Sequence, residues 1–175
     1  VSGESEMKAG YLAAAARIDV EIRLPETGLV LDIGCNNGAG MEALQKHWPG
    51  MCIMGIEPDE RRASIARSRI QWVFTASAED MPVNDASIHL VFSRHSLEHV
   101  PNVEKAIAEF YRVLVPGGHL YVQAPIEPGG SPNKLHVSHF ESFDELRKAL
   151  RIFEKEIYLG PQETVGEVIV QKVPR

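Results

Sequence analysis

At 175 residues, with 44% apolar and 24% charged residues, the chain has the composition of one ordinary globular domain, and disordered, collagenous or disulfide-stapled scaffolds do not fit it. Eighteen basic residues against twenty-four acidic give a net charge of −6, and no basic run could track a phosphate backbone, so nucleic acid is not an expected partner. No apolar stretch approaches the roughly 20 residues that span a bilayer, and the acidic start at Glu4 and Glu6 is unlike a basic leader, so a soluble, cytoplasmic single domain over 1–175 is expected.

Residues Glu4 to Ile22 are alanine-rich and read as a helix, which makes 1–25 an N-terminal helical segment outside the sheet. Leu29-Val30-Leu31-Asp32-Ile33-Gly34 is a nearly continuous apolar run ending in glycine, the pattern of a strand buried on both faces. Ala39 to His47 reads as helical and stops at Trp48-Pro49-Gly50; Cys52 to Ile56 is a second strand closed by Glu57-Pro58. Two parallel strands joined through a helix require a right-handed crossover. A polar helix over Asp59 to Arg69 and strands over Gln71 to Ala76 and Ile88 to Phe92 continue an α/β alternation with a mostly parallel sheet.

Asn102 suits the N-cap of a helix in which Val103, Ile107, Phe110, Tyr111 and Leu114 recur at helical spacing. Val115-Pro116-Gly117-Gly118 should end it before a strand over His119 to Gln123. Ala124 to His139, rich in Pro, Gly, Ser and Asn, is too long for an ordinary connection, and 124–141 is a candidate lid with Gly129 and Gly130 as hinges. Ser142-Phe143-Asp144-Glu145 has capping-box order before a short helix. Glu156 to Leu159 and Val165 to Gln171, joined through Gly160-Pro161, form a closing antiparallel hairpin. Cys35 and Cys52 fall at opposite ends of neighbouring strands, about 15 Å apart at ~3.3 Å per residue, so two free thiols are expected.

The loop Gly34-Cys35-Asn36-Asn37-Gly38 lies at the carboxyl end of a strand, where open α/β sheets build their sites. Glycines there let a ligand approach the backbone, and the N–H groups that open the next helix favour an anionic group. The loop alone is equally compatible with an ordinary strand-to-helix turn. Glu57 shifts the balance, because an acid ending the second strand about 20 residues on can accept hydrogen bonds from both hydroxyls of a ribose. A dinucleotide fingerprint starting at Gly34 would need glycine at the positions of Asn36 and Ala39, which counts against NAD.

Asp32-Ile33-Gly34-Cys35 with Gly38, Gly55-Ile56-Glu57-Pro58-Asp59, Ala78-Glu79-Asp80-Met81-Pro82, Ser96-Leu97-Glu98-His99-Val100 and Leu114-Val115-Pro116-Gly117-Gly118 follow one another as five ordered segments. In them the chain resembles the class I S-adenosylmethionine-dependent methyltransferases over about Val30 to Pro125. The resemblance implies a Rossmann-like doubly wound sheet, in strand order 3-2-1-4-5-7-6 with a C-terminal antiparallel hairpin. It implies S-adenosylmethionine as cofactor: Asp32, Gly34, Cys35, Asn36 and Gly38 around its methionine end, Glu57 and Pro58 at its ribose, Ser77, Ala78 and Glu79 along its adenine edge, and Ser93 facing the sulfonium. Asn36 replaces the family's usual middle glycine, and Asn tolerates positive φ better than most residues. Ser77 stands where many members carry an aspartate for the adenine amino group, with Asp80 as a substitute contact.

A sulfonium donor is already activated, so what remains for the protein is positioning and removal of a proton from an O–H or N–H acceptor. His95, beyond the fourth strand, and His139, in the long loop, are the candidate catalytic bases; His99 reads better as a packed residue, and His136 with His139 lacks the further ligands of a metal site. Ser93-Arg94-His95-Ser96 lacks the Asn/Asp-Pro-Pro-aromatic signature of methyltransferases that act on amino groups of nucleobases or glutamine. The expected reaction is methyl transfer to O or N of a small, polar or sugar-like molecule. A non-catalytic S-adenosylmethionine- or nucleotide-binding module is the alternative, and an NAD-dependent oxidoreductase a weaker one. No seam for a second copy is readable.

Overall fold

In the computed structural model, which describes residues 2–160 and 164–174, each apolar run of the sequence becomes a strand of one seven-stranded sheet. The strands are β1 (Gly28–Ile33), β2 (Met51–Glu57), β3 (Val73–Thr75), β4 (Ile88–Arg94), β5 (Leu114–Pro125), β6 (Lys155–Leu159) and β7 (Val165–Gln171), in spatial order β3-β2-β1-β4-β5-β7-β6. The five strands from β3 to β5 are mutually parallel, while β7 runs antiparallel to both β5 and β6. The order reverses between β1 and β4, and this topological switch point opens a crevice beyond their carboxyl ends.

The helices divide between the two faces as that reversal requires. On one face α1 (Ser2–Glu21), α2 (Ala39–His47) and α3 (Glu60–Arg67) bury Tyr11, Ala15, Ile18, Met41, Leu44, Ala63 and Ala66 against Val30, Ile53, Leu90 and Phe92. On the other, α4 (Val103–Val113) and α5 (Phe143–Ala149) bury Ile107, Phe110 and Leu146 against Leu31, Val91, Leu120 and Val168. Alternate residues of β1 therefore feed two separate cores, which is why its sequence is apolar without alternation. α1 does more than flank the sheet: Tyr11 packs 5.1 Å from the Phe92 ring, which stacks in turn on Tyr121 at 4.9 Å.

Helix ends match their sequence signals. Asn102 accepts the Lys105 N–H at 2.9 Å, Asp59 accepts that of Arg62 at 3.0 Å, and Ser142 caps α5 through the Glu145 N–H. The reciprocal half of the capping box is displaced by one residue, because the Glu145 carboxylate takes the N–H of Glu141 and not that of Ser142. Several strand boundaries differ from expectation, and β4 runs two residues further, to Arg94. β3 is confined to three residues that pair with Gly55 to Glu57 at the sheet edge, leaving Trp72 half exposed. β5 begins at Leu114, because Val115 to Gly118, expected only to stop the preceding helix, enters the sheet through a register shift opposite β4, with Gly117 at φ 84°. Of the expected Gly160-Pro161 turn, Pro161 lies outside the described residues. Cys35 and Cys52 are free thiols. No helix among the described residues is long and apolar enough to cross a membrane.

Candidate functional site

A cavity of about 430 Å³ lies over the carboxyl ends of β1 and β2 and reaches the segment after β4. Three stretches wall it: Ile33, Gly34 and Asn36 after β1; Ile56, Glu57, Pro58 and Arg62 after β2; and His95, Ser96, His99 and Val100 after β4, with Ser77, Ala78 and Glu79 closing one end. A wider cleft of about 760 Å³ sits at the opposite edge among Asp19 to Glu26 and His47 to Met51, but there the Asp19 carboxylate is already bonded by His47 and the Trp48 indole.

The first wall is set by backbone conformation. Gly34 has φ 70°, and a Cβ there would come within 2.7 Å of Ser96 Oγ, so glycine is required both by the turn and by the neighbouring segment. Asn36 adopts φ 52°, the left-handed conformation that Asn tolerates, and this turns its N–H onto Glu57 Oε2 at 2.9 Å. The other carboxylate oxygen, Oε1, accepts the Asp59 N–H at 3.0 Å. Glu57 is 4% exposed, and each oxygen keeps a lone pair beyond its backbone bond. The sequence pointed to the acid but not to its anchoring by the very loop it faces.

Not every residue assigned to the cofactor faces the cavity. Asp32 is fully buried on the α1 side, where the Tyr11 hydroxyl lies 3.2 Å from each of its oxygens. Burial holds its carboxyl well above the usual carboxylate range, opposed by the Tyr11 hydrogen bond. Cys35 packs toward Gly55 and Met41, and burial pushes its thiol up, away from reactivity. Gly38 (φ 79°) faces α3: a Cβ on it would sit 3.0 Å from Ala66 Cα, so it serves the α2–α3 approach rather than the cavity. Ser93 lies within β4 and not past its end, fully buried, and its Oγ has no hydrogen-bond partner among the described residues.

At the adenine-side segment, Ser77 Oγ donates to Glu79 Oε2 at 3.2 Å and Glu79 Oε1 accepts the Asn102 N–H at 2.6 Å. This fixes the Glu79 carboxylate at the cavity end, while Asp80 is exposed and outside the lining. The two candidate bases separate. His95, at φ 49° with its N–H bonded to the Gln123 carbonyl, lines the cavity, and its Nδ1 stands 3.5 Å from the buried Glu98 carboxylate. His139 instead lines a cleft between α4 and α5, with its Nε2 3.8 Å from Glu141, and the long loop 124–141 contributes no residue to the cavity wall. Arg62, Ser96, His99 and Val100 are wall residues that sequence reasoning did not single out as contacts; Arg62 had no signal beyond its place in the first turn of α3.

Methyltransferase domain sequences match residues 31–122, more than half of the chain. Among curated proteins, YrhH of Bacillus subtilis (strain 168) is 27% identical over 73% of this chain and 77% of its own length. The trans-aconitate 2-methyltransferase of Variovorax paradoxus (strain S110) is 29% identical over 63% of this chain and 44% of its own length. Further matches carry O-, N- and C-methyltransferase names, and the chain spans less than half of each: a malonyl-[acyl-carrier protein] O-methyltransferase, a dimethylglycine N-methyltransferase and a sterol 4-C-methyltransferase. Among solved structures the [4+2]-cyclase SpnF superposes with a TM-score of 0.79 at 16% identity, over 94% of this chain and 81% of its own. This last likeness concerns the fold alone.

Proposed function

The chain belongs to the methyltransferase domain family, and we propose that it transfers a methyl group from S-adenosylmethionine to an oxygen or nitrogen of a small polar, sugar-like molecule. The observation that carries this reading is Glu57: a buried carboxylate in the cavity wall, held by the Asn36 and Asp59 N–H groups, with acceptor capacity left for a ribose diol. The cavity's volume lies in the range of cofactor sites. The bare backbone at Gly34 and the small Ala78 leave room where the methionine and adenine ends would lie. Glu79 takes the adenine amino group in place of the aspartate that Ser77 replaces, because its carboxylate stands at the closed end of the cavity.

When bound, the cofactor supplies a methyl group already activated on sulfur. The protein's part is to align the acceptor with that methyl, exclude water, and take the acceptor's proton. His95 receives the proton: it lines the cavity, and the Glu98 carboxylate beside its ring stabilises the cation formed. The two free thiols suit a reducing, cytoplasmic setting. A binding module without catalysis is the alternative, favoured by the chain's small size and the lack of a substrate-covering domain within its 175 residues; Asn36 in place of glycine adds little to it, since Asn36 holds the left-handed turn and bonds Glu57.

The test is thermal denaturation with ligands. S-adenosylmethionine or S-adenosylhomocysteine at about 100 times Kd should stabilise the chain by about 2.7 kcal/mol, and NAD should not. Equal stabilisation by NAD overturns the reading. Release of S-adenosylhomocysteine, measured across a panel of small hydroxylated and amino acceptors, then separates catalysis from binding alone.

A further inference from the structure

Behind the cavity wall, the one-turn helix Leu97–His99 meets the long loop after β5 at a cluster of side chains of which only Glu98 enters the proposed methyl transfer, through the oxygen that stands beside His95. Glu98, His99 and His136 each offer one metal-ligating atom, and the three atoms lie within 4.8 Å of one another. Glu98 is 1% exposed, and its Oε2 has no hydrogen-bond partner among the described residues. A buried carboxylate oxygen without a donor is costly, and it asks for a cation or proton donor at that spot.

Both imidazoles are held through Nδ1. His99 directs Nδ1 at the Leu135 carbonyl at 3.0 Å, and His136 directs Nδ1 at the Glu127 carboxylate at 2.9 and 3.0 Å. The Leu135 carbonyl and Glu127 carboxylate only accept, and Ser131 Oγ, 2.9 Å from His136 Nδ1, gives its own proton to Glu127, so Nδ1 carries a proton in each ring and Nε2 is the nitrogen left for a metal. A carbonyl or carboxylate behind a histidine is the arrangement that fixes tautomer and ring direction in metal sites. The loop is held to the one-turn helix independently of any ion, since the Val137 and Ser138 N–H groups both bond the Glu98 carbonyl and Ser138 Oγ bonds the Val100 carbonyl. The ligands thus come from two segments whose relative placement the backbone already sets.

We propose that Glu98, His99 and His136 bind one divalent transition-metal ion of the zinc class, with Glu127 as the positioning residue behind His136. Two imidazoles and one carboxylate suit zinc and its neighbours better than calcium or magnesium, which prefer all-oxygen sets. Bonds of about 2.0–2.1 Å in a tetrahedral site place ligand atoms about 3.3 Å apart, a contraction within reach of rotating His99, which is exposed. Three protein ligands leave a coordination position open, as in sites where the ion holds water or a substrate oxygen. His99 lines the cofactor cavity and His95 stands 3.5 Å from the other Glu98 oxygen. The ion therefore sits on the acceptor side and recognises an acceptor with an oxygen ligand. Its binding does not depend on the methyl-transfer reading.

Calorimetric titration of the metal-stripped chain with Zn²⁺, without cofactor or acceptor, should give one site per chain, and Co²⁺ should give visible d–d absorption of a low-coordinate site. His136→Ala should weaken Zn²⁺ binding at least tenfold, and Glu127→Gln, which leaves all three ligands in place, about 10–100-fold. His139→Ala, in the same loop and outside the cluster, should bind as the parent does. Absence of a stoichiometric site, or equal losses from His136→Ala and His139→Ala, overturns the proposal. His136 lies in a loop outside both hydrophobic cores, so its variant should keep the fold; circular dichroism and the response to S-adenosylhomocysteine check this. A chain that binds S-adenosylhomocysteine but not zinc refutes the metal site alone, and one that binds zinc but not S-adenosylhomocysteine refutes the proposed cofactor alone.

Discussion

The carboxyl edge of the sheet is built in two unlike halves. Beyond β1 and β2 the polar groups are mutually satisfied: Glu57 holds two loop N–H groups, and Asn37 takes the N–H of Ala39. Along the carboxyl ends of β4 and β5 and just past β4 they are not: the buried side-chain atoms without a partner among the described residues are Ser93 Oγ and Arg94 Nε in β4, Gln123 Oε1 in β5 and Glu98 Oε2 after β4. Native interiors seldom leave such groups unpaired without a functional reason. On the proposed reading the first half is preorganised for the cofactor, and the second holds polar groups that acceptor or ion would complete.

The strongest way to break this comparison is to remove the proposed base from the unsatisfied half. His95→Ala should lower kcat by ~10²–10⁴ while the Kd for S-adenosylhomocysteine stays within a few-fold of the parent. Single-turnover rates with a confirmed acceptor decide it, and a loss confined to cofactor affinity would place His95 in the cofactor half instead. His139→Ala is the internal contrast; since His139 lies in a different cleft, its turnover should be that of the parent.

On the preorganised side, Glu57→Gln should cost about 2–4 kcal/mol of cofactor binding, or about 30- to 900-fold in Kd. The amide brings donors to a site where the Asn36 and Asp59 N–H groups already point, so one of those contacts becomes donor against donor. Titration of S-adenosylhomocysteine measures the loss, and unchanged affinity would show that Glu57 only props its own loop. A smaller effect is expected of Gly34→Ala. Its positive φ costs roughly 1–2 kcal/mol for a residue with a Cβ, and the Ser96 hydroxyl must move away. The melting temperature should fall accordingly, and ligand should recover part of it.

The preorganised half was also the legible one. Strand, glycine turn, helix and acidic strand end are local signals with fixed spacing, so Gly34, Asn36 and Glu57 could be read in order, and Asn36 adopts the positive φ its residue type permits. The other half rests on contacts between residues far apart in sequence, carried by irregular backbone. Nothing in the spacing of His99 and His136 says that a loop will fasten to the Glu98 carbonyl and bring them together. α1 is a helix outside the sheet, as its sequence reads, but its packing was not legible, for a related reason. Its alanine-rich sequence shows a weak apolar stripe, but its small residues let it lie close on the sheet, and Tyr11 then reaches Asp32, 21 positions on.

That contact gives the last and smallest effect. Asp32 was assigned to the cofactor by resemblance, yet it is buried beneath α1 with the Tyr11 hydroxyl as its side-chain partner. Burial raises its pKa in the folded state above the unfolded value. The folded chain therefore binds this proton more tightly, and the contribution is fully present below the ordinary aspartate pKa and is lost as pH rises toward the folded value. Asp32→Asn keeps the shape and an acceptor for Tyr11 but cannot ionise, so its stability relative to the parent should grow from pH 4 upward. At this chain length each 1 kcal/mol of difference reads as about 2–4 °C in Tm. A difference independent of pH would mean that Asp32 is ionised in the fold, with the Arg94 guanidinium, which lies over the Tyr11 ring at 5.8 Å, compensating its charge. The polar cluster under α1 would then belong with the unsatisfied half of the edge, since the Arg94 Nε is one of its unpaired atoms.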